Sequence, residues 1–156
     1  MDIVPREIRL EILQYCESNI TLVCKQWRLD YYNLVSKKLK NKIIIYASSN
    51  GHLEIVKLLI YNGVDIPANN NSAIQYASRY GHLEVVKLLI DYNVDVAVNY
   101  NYAVRWASYN GHLEVVKLLI EHGADVTVDN NYAIRWASYN GHLEVVKFLI
   151  EHGAVL

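Results

Sequence analysis

The apolar positions of this 156-residue chain repeat with two periods at once. The short period is helical. Between Gly81 and Ile90, Leu83, Val86 and Leu89–Ile90 fall at helical spacing, and Val85 and Leu88 form a second stripe beside them. The long period is 30 residues: Gly-His-Leu-Glu recurs at Gly51, Gly81, Gly111 and Gly141, and the blocks Gly51–Ile60, Gly81–Ile90, Gly111–Ile120 and Gly141–Ile150 are nearly identical. So short a helix with two apolar faces does not stand alone in water. One face must bury on a partner helix and the other on the next repeat. A shorter helix precedes it, Ala103–Tyr109 in the third unit, and Asn110-Gly111 ends that helix by tolerating a left-handed backbone. Gly123 and Gly153 end the second helix, with Asn93 in their place in the second unit. An apolar–Asp–apolar triplet follows (Val64–Ile66, Val94–Val96, Ala124–Val126), then a polar turn. The prediction is an all-α solenoid of four 30-residue helix–turn–helix units, at about 41–70, 71–100, 101–130 and 131–156, preceded by a separate helical segment over 1–40.

The stretch Gly111–Val126, GHLEVVKLLIEHGADV, resembles the second half of the ankyrin repeat nearly residue for residue. The first half departs from the family. Tyr132-Ala133-Ile134-Arg135 stands where ankyrins usually carry Thr-Pro-Leu-His, and the period is 30 against the family's roughly 33. Aligning the glycines puts the missing residues in the loop Thr127–Asn131, which implies short loop tips. The resemblance runs from about Asn41 to Leu156. It implies a protein-binding module whose concave groove and loop tips grip a protein partner, of an identity the sequence does not name.

Columns of equivalent residues separate scaffold from candidate contact. His52, His82, His112 and His142 open the second helices and are expected to hydrogen-bond locally. Neighbours in that column sit one helix-packing distance apart, roughly 8–10 Å, too far to share a zinc ion that binds its ligands at about 2 Å. His122 and His152 close second helices, where partial positive charge suits the helix dipole. Tyr46, Tyr76, Trp106 and Trp136 match an apolar position of the family's first helix and are expected in the core. Each Glu-x-x-Lys, such as Glu114 and Lys117, is a surface pair worth a few tenths of a kcal/mol. Three columns vary instead: Ser49/Arg79/Tyr109/Tyr139, Lys42/Ser72/Tyr102/Tyr132 and Lys40/Asn70/Tyr100/Asn130. Tyr and Arg dominate protein hot spots, so Arg79, Tyr100, Tyr102, Tyr109, Tyr132 and Tyr139 are the candidate partner contacts. A competing explanation for the richness in Tyr and Asn is codon bias, since both share A/T-rich codons with Ile and Lys. Arg105 and Arg135 replace the family's usual His, and contact and structural roles both stay open.

Residues 1–40 do not share the repeat. Pro5 opens a helix with Ile8, Leu10, Ile12 and Leu13 as its apolar residues, and a second helix from about Leu22 to Leu39 carries Val23, Trp27, Tyr31, Leu34, Val35 and Leu39 on one side. One reading is a cap that covers the first apolar face of the stack. The order Val4-Pro5-x-Glu7-Ile8-x-x-Glu11-Ile12-Leu13, then Leu22-Val23-Cys24-Lys25-x-Trp27-Arg28, also resembles an F-box with a shortened middle at Glu17–Thr21. That resemblance implies a substrate-recruiting adaptor. Val4, Pro5, Ile8, Ile12, Leu13, Val23 and Trp27 would then dock on, or support docking on, the adaptor subunit of a cullin–RING ubiquitin ligase. The shortened middle leaves docking motif and plain cap both open. An F-box-like segment ahead of ankyrin repeats is similar to an arrangement found in large DNA viruses.

Composition narrows the classes. Lys and Arg number 15 against 16 Asp and Glu, a net charge of −1, and nucleic-acid binding calls for a basic patch or stripe that this balance does not favour. Cys16 and Cys24 have no further Cys to form a framework, which suits a reducing intracellular setting, cytoplasmic or nuclear. The mixed-charge start is not a signal peptide, and no apolar run approaches the ~18 residues of a membrane span. No Gly-rich phosphate loop, no His-Glu-x-x-His and no acid pair outside the scaffold occurs, so no enzyme activity, cofactor or metal is expected. The last unit keeps the interior pattern Val145, Val146, Phe148, Leu149, Ile150 with no polar capping repeat after it. An apolar patch at that end predicts self-association, or a truncated gene product.

Overall fold

The computed structural model describes residues 37–64, 66 and 71–156. The repeats lie in one unit, Lys40–Leu156, and Met1–Leu39 form a second, of which only the residues from 37 on are described. Eight helices and no strand occur among the described residues: α1 (Lys37–Ser49), α2 (Leu53–Tyr61), α3 (Ser72–Arg79), α4 (Leu83–Asp91), α5 (Val98–Tyr109), α6 (Leu113–Glu121), α7 (Val128–Tyr139) and α8 (Leu143–Glu151). None of them is long and apolar enough to cross a membrane. First helices pack on first helices, α3 on α5 and α5 on α7. Second helices likewise run α2, α4, α6, α8, and from α3/α4 onward each first helix packs on its own second helix. The two layers meet on a core that repeats its chemistry: Val86, Val116, Leu89, Leu119 and Leu149 from the second helices, and Ile74, Val104 and Ile134 from the first. Each such side chain, fully buried, contributes about 1.5–3 kcal/mol.

The connections are built from residues that tolerate an unusual backbone. Val94 and Val96 are buried, as are Ala124 and Val126, so the apolar residues of each triplet turn back under the stack. The Asp between them points outward and accepts a backbone N–H two residues on, from Ala97 to Asp95 at 2.9 Å and from Thr127 to Asp125 at 2.8 Å. Those bonds from the Thr127 N–H, and from its hydroxyl, hold the Asp125 carboxyl below the usual carboxylate range. A left-handed turn follows. Among the described residues every non-glycine at positive φ is Asn or Asp, including Asp129, Asn130 and Asn131 in succession at φ 53° to 57°. A left-handed residue costs roughly 1–2 kcal/mol for most side chains and least for Asn and Asp. The Asn enrichment therefore has a positional cause here, beside any codon bias. Helices α5 and α7 formally begin at Val98 and Val128, but regular right-handed helix starts only after Asn101 and Asn131. These asparagines also link neighbouring turns: Asn71 Nδ2 donates to the Asp95 carbonyl, and Asn101 and Asn131 Oδ1 accept from Asp125 and Val155 N–H at 2.8 and 3.1 Å.

The histidine column does not hydrogen-bond locally as the sequence predicts. The rings form no cap bond to their own helices. Instead the Nε2 of three of the four donates back across the interface: His82 to the Ser49 carbonyl at 3.0 Å, His112 to Arg79 at 3.1 Å and His142 to Tyr109 at 3.0 Å. Each of these three rings lies over the glycine of the preceding repeat. A Cβ added at Gly51, Gly81 or Gly111 would come 2.6, 2.6 or 2.5 Å from the next histidine's Nδ1. These glycines are thus needed twice, for a φ near +70° to +76° and for the seat of the next ring. His122 and His152 behave as expected, closing their helices and hydrogen-bonding to the Leu118 and Phe148 carbonyls through Nδ1 at 2.8 Å.

Two outcomes follow from the seat. Gly141 has the same backbone (φ +74°) but nothing within 4 Å of its Cβ position. Gly141→Ala should therefore cost about 1 kcal/mol of backbone strain. Gly111→Ala should cost about 0.5–1.5 kcal/mol more, because it also displaces His142 and its hydrogen bond; urea unfolding of the two variants checks the order. The second outcome concerns acid. Burial is the main cause holding the His112 pKa below its ordinary 6.5, with the charges of His142 and His82 adding to it and the Arg79 carbonyl opposing it. A depressed histidine favours folding while neutral, so its contribution is complete above about pH 6.5 and is lost as pH falls through the folded value. Unfolding midpoints should drop between pH 7.5 and 5.5, and His112→Gln should flatten that dependence.

Candidate partner-binding face

The first helices α5 and α7 each place three aromatic rings along one edge by helical spacing alone, since residues three and four apart are neighbours on a helix. Tyr102 meets Trp106 at 5.7 Å between ring centres and Trp106 meets Tyr109 edge-on at 5.2 Å. The next repeat does the same, with Tyr132 to Trp136 at 5.6 Å and Trp136 to Tyr139 at 5.5 Å. Repeat stacking then joins the sets. The Arg79 guanidinium lies 4.1 Å from the Trp106 ring centre, Tyr109 lies 5.4 Å from Trp136, and the Arg105 guanidinium lies 3.9 Å from Tyr132. All three contacts join residues 27 positions apart (79 to 106, 109 to 136, 105 to 132). The result is an unbroken ladder, Arg79–Trp106–Tyr109–Trp136–Tyr139, across three repeats.

The column Tyr46, Tyr76, Trp106, Trp136 is therefore not a core column. Tyr46 and Tyr76 are 42% and 40% exposed, and both tryptophans are only partly buried. The core side of the first helix is filled by small and medium residues, Ala103, Val104, Ala107 and Ser108 in α5, all essentially inaccessible. Trp106 precedes Ala107 by one residue, about 100° around a helix of 3.6 residues per turn, and so comes out at the edge of the packed face.

Of the predicted contacts, the structure brings Arg79, Tyr102, Tyr109, Tyr132 and Tyr139 onto this one face. Tyr139 is 81% exposed and the others are partly buried against their neighbours. The side chain of Tyr100 lies outside the described residues, as do Asn70 and all seven F-box-like positions, Val4, Pro5, Ile8, Ile12, Leu13, Val23 and Trp27. Asn130, in the third varied column, is a left-handed turn former. Trp106 and Trp136, expected in the core, also lie on this face, together with Arg105, for which contact and structural roles were both open. Their signal was present in the alternation of Tyr, Arg, Trp and Tyr at three- and four-residue spacing. Arg105 combines two roles, since it holds Asp129 at 2.9 Å while stacking on Tyr132. A shallow cleft of about 90 Å³ opens beside the ladder, lined by Ser72, Gln75, Tyr76, Arg79 and Tyr102. The opposite layer presents the exposed Glu–Lys pairs at 2.7 to 2.9 Å. Flat aromatic rings interleaved with guanidinium groups suit adhesion by stacking and cation–π contact. Among the described residues no cluster of His, Cys, Asp and Glu is placed to hold a metal ion.

The family model for ankyrin repeats (3 copies) matches residues 12–100 and 97–156, nearly the whole chain. The first match begins within the segment set apart by sequence. No curated protein matches the chain. The ladder itself is testable through energetic coupling: a double-mutant cycle of Arg79→Ala and Trp106→Ala on unfolding free energy should give a coupling of about 0.5–1 kcal/mol, and additivity of the two changes would show that the guanidinium does not stack.

Proposed function

The chain belongs to the ankyrin-repeat family, and we propose that it is an interaction scaffold whose first-helix face holds a partner protein. The observation that carries this reading is the aromatic–arginine ladder, which spans three successive repeats and leaves its rings partly exposed. Tyr, Trp and Arg are the side chains that contribute most when a partner covers them. A photo-crosslinking residue in place of Tyr139 should capture a partner in cells, whereas the same residue in place of Glu144 on the second-helix layer should not. Capture from Glu144 alone would place the contact on the opposite layer and contradict the reading.

A second reading concerns residues 1–40. The Val4–Leu13 and Leu22–Arg28 patterns support a role as a substrate-recruiting adaptor for a cullin–RING ubiquitin ligase, with the repeats holding the substrate. The other reading of this segment is a cap on the stack, in a scaffold without a ligase link; a family match that begins at residue 12 supports a role tied to the repeats. The adaptor role predicts that the whole chain captures the ligase adaptor subunit and that Ile8→Asp or Trp27→Ala abolishes capture while the repeats stay folded. Capture unchanged by both substitutions, or none by the unmodified chain, would remove the ligase link. A reducing intracellular setting suits either role.

A further inference from the structure

The two helix layers carry opposite charge. The second helices α2, α4, α6 and α8 hold seven carboxylates and four lysines, and each lysine is paired to a glutamate at 2.7 to 2.9 Å. From α3 onward each first helix instead contributes one arginine, Arg79, Arg105 or Arg135, and the only carboxylate in those three helices is Asp129. Arg105 holds Asp129, while Arg79 and Arg135 pair with no carboxylate among the described residues. Arg79 is stacked on Trp106 at the mouth of the cleft with Tyr76 and Tyr102. Stacking desolvates one face of a guanidinium and leaves its edge N–H groups able to donate to a planar anion.

The spacing of these arginines restricts what fits. Arg105 and Arg135 occupy the same position of successive repeats, whereas Arg79 stands four positions further along its helix, in the column of Tyr109 and Tyr139. With neighbouring helices roughly 8–10 Å apart, the two arginines without a carboxylate, Arg79 and Arg135, lie two such steps apart, roughly 16–20 Å. A polyproline-type segment has three residues per turn and rises about 3.1 Å per residue, which returns every sixth residue to the same side after about 19 Å. We infer that the partner element held on this face is an extended, proline-containing segment with acidic residues six positions apart on one side. It would run across α3, α5 and α7, its carboxylates directed to Arg79 and Arg135 while Arg105 stays with Asp129, and its proline rings laid on the tryptophans and tyrosines between them. Aromatic grooves take such segments because the extended form is already ordered. This inference rests on the first-helix face being the contact surface.

The test uses the whole chain and three labelled peptides of four triplets each, Pro-Pro-Glu, Pro-Pro-Gln and Pro-Pro-Lys, read by fluorescence anisotropy. The Glu peptide should bind about three- to tenfold more tightly than the Gln peptide, and the Lys peptide more weakly than either. Arg79→Gln and Arg135→Gln should each remove much of that preference, while Lys87→Gln and Lys117→Gln on the other layer leave it intact; circular dichroism checks that all four remain folded. Equal binding of the Glu and Gln peptides, binding of neither, or equal loss from the lysine variants would overturn the inference. The crosslink from Tyr139 separates the two levels: if it captures a partner while the Glu peptide shows no preference, the face binds a protein of other chemistry. If it captures none, the face itself is wrong.

Discussion

The stack depends on one contact repeated along it: His82, His112 and His142, each opening a second helix, are seated over the glycine of the repeat before. The hydrophobic core alone would allow neighbouring repeats to slide or rotate, because apolar burial is non-directional. A ring nitrogen donating to one particular carbonyl, above a residue that has no side chain, admits one register. The bonded carbonyls belong to Ser49, Arg79 and Tyr109, the C-terminal residues of α1, α3 and α5. The latch thus fixes the residues that begin the next contact of the ladder. Arg79 and Tyr109 present their carbonyls to histidine and their side chains to a tryptophan of the following repeat.

From that register the two faces diverge. The outer layer repeats the same Glu–Lys pair four times and offers little to distinguish one repeat from the next. The inner positions of the first helices change from Ser49 to Arg79 to Tyr109 to Tyr139, and each change is carried on an almost invariant frame. Stability and recognition are separated in space: small buried residues such as Ala77, Ala107 and Ala137 bring the helices together, while large residues beside them remain accessible. The turns add rigidity through Asn71, Asn101 and Asn131, whose backbone strain is offset by bonds to the neighbouring turn.

Much of the architecture was legible from periodicity. The thirty-residue recurrence of Gly-His-Leu-Glu located every second helix, and Gly123, Gly153 and Asn93 marked their ends, all at positive φ in the structure. What one-dimensional spacing could not give was depth. Trp106 and Trp136 read as core because large apolar residues usually bury, yet the Ala–Val–Ala–Ser face beside them had already filled the interface. The histidines read as local caps because their sequence neighbours form a helix start; the true acceptor lies a full repeat away. Asn enrichment read as composition until left-handed backbone gave it a position. The ladder needs both helical spacing and the inter-repeat register, and only the first is visible along the chain.

The most direct test of the latch is the protonation tautomer of each histidine, read by long-range proton–nitrogen NMR at neutral pH. If the ring nitrogens bond as described, His82, His112 and His142 carry their proton on Nε2 and exchange it slowly, whereas His122 and His152 carry theirs on Nδ1. Nδ1–H or a rapidly averaging pattern at His82, His112 and His142 would mean that the repeats are not joined through these rings.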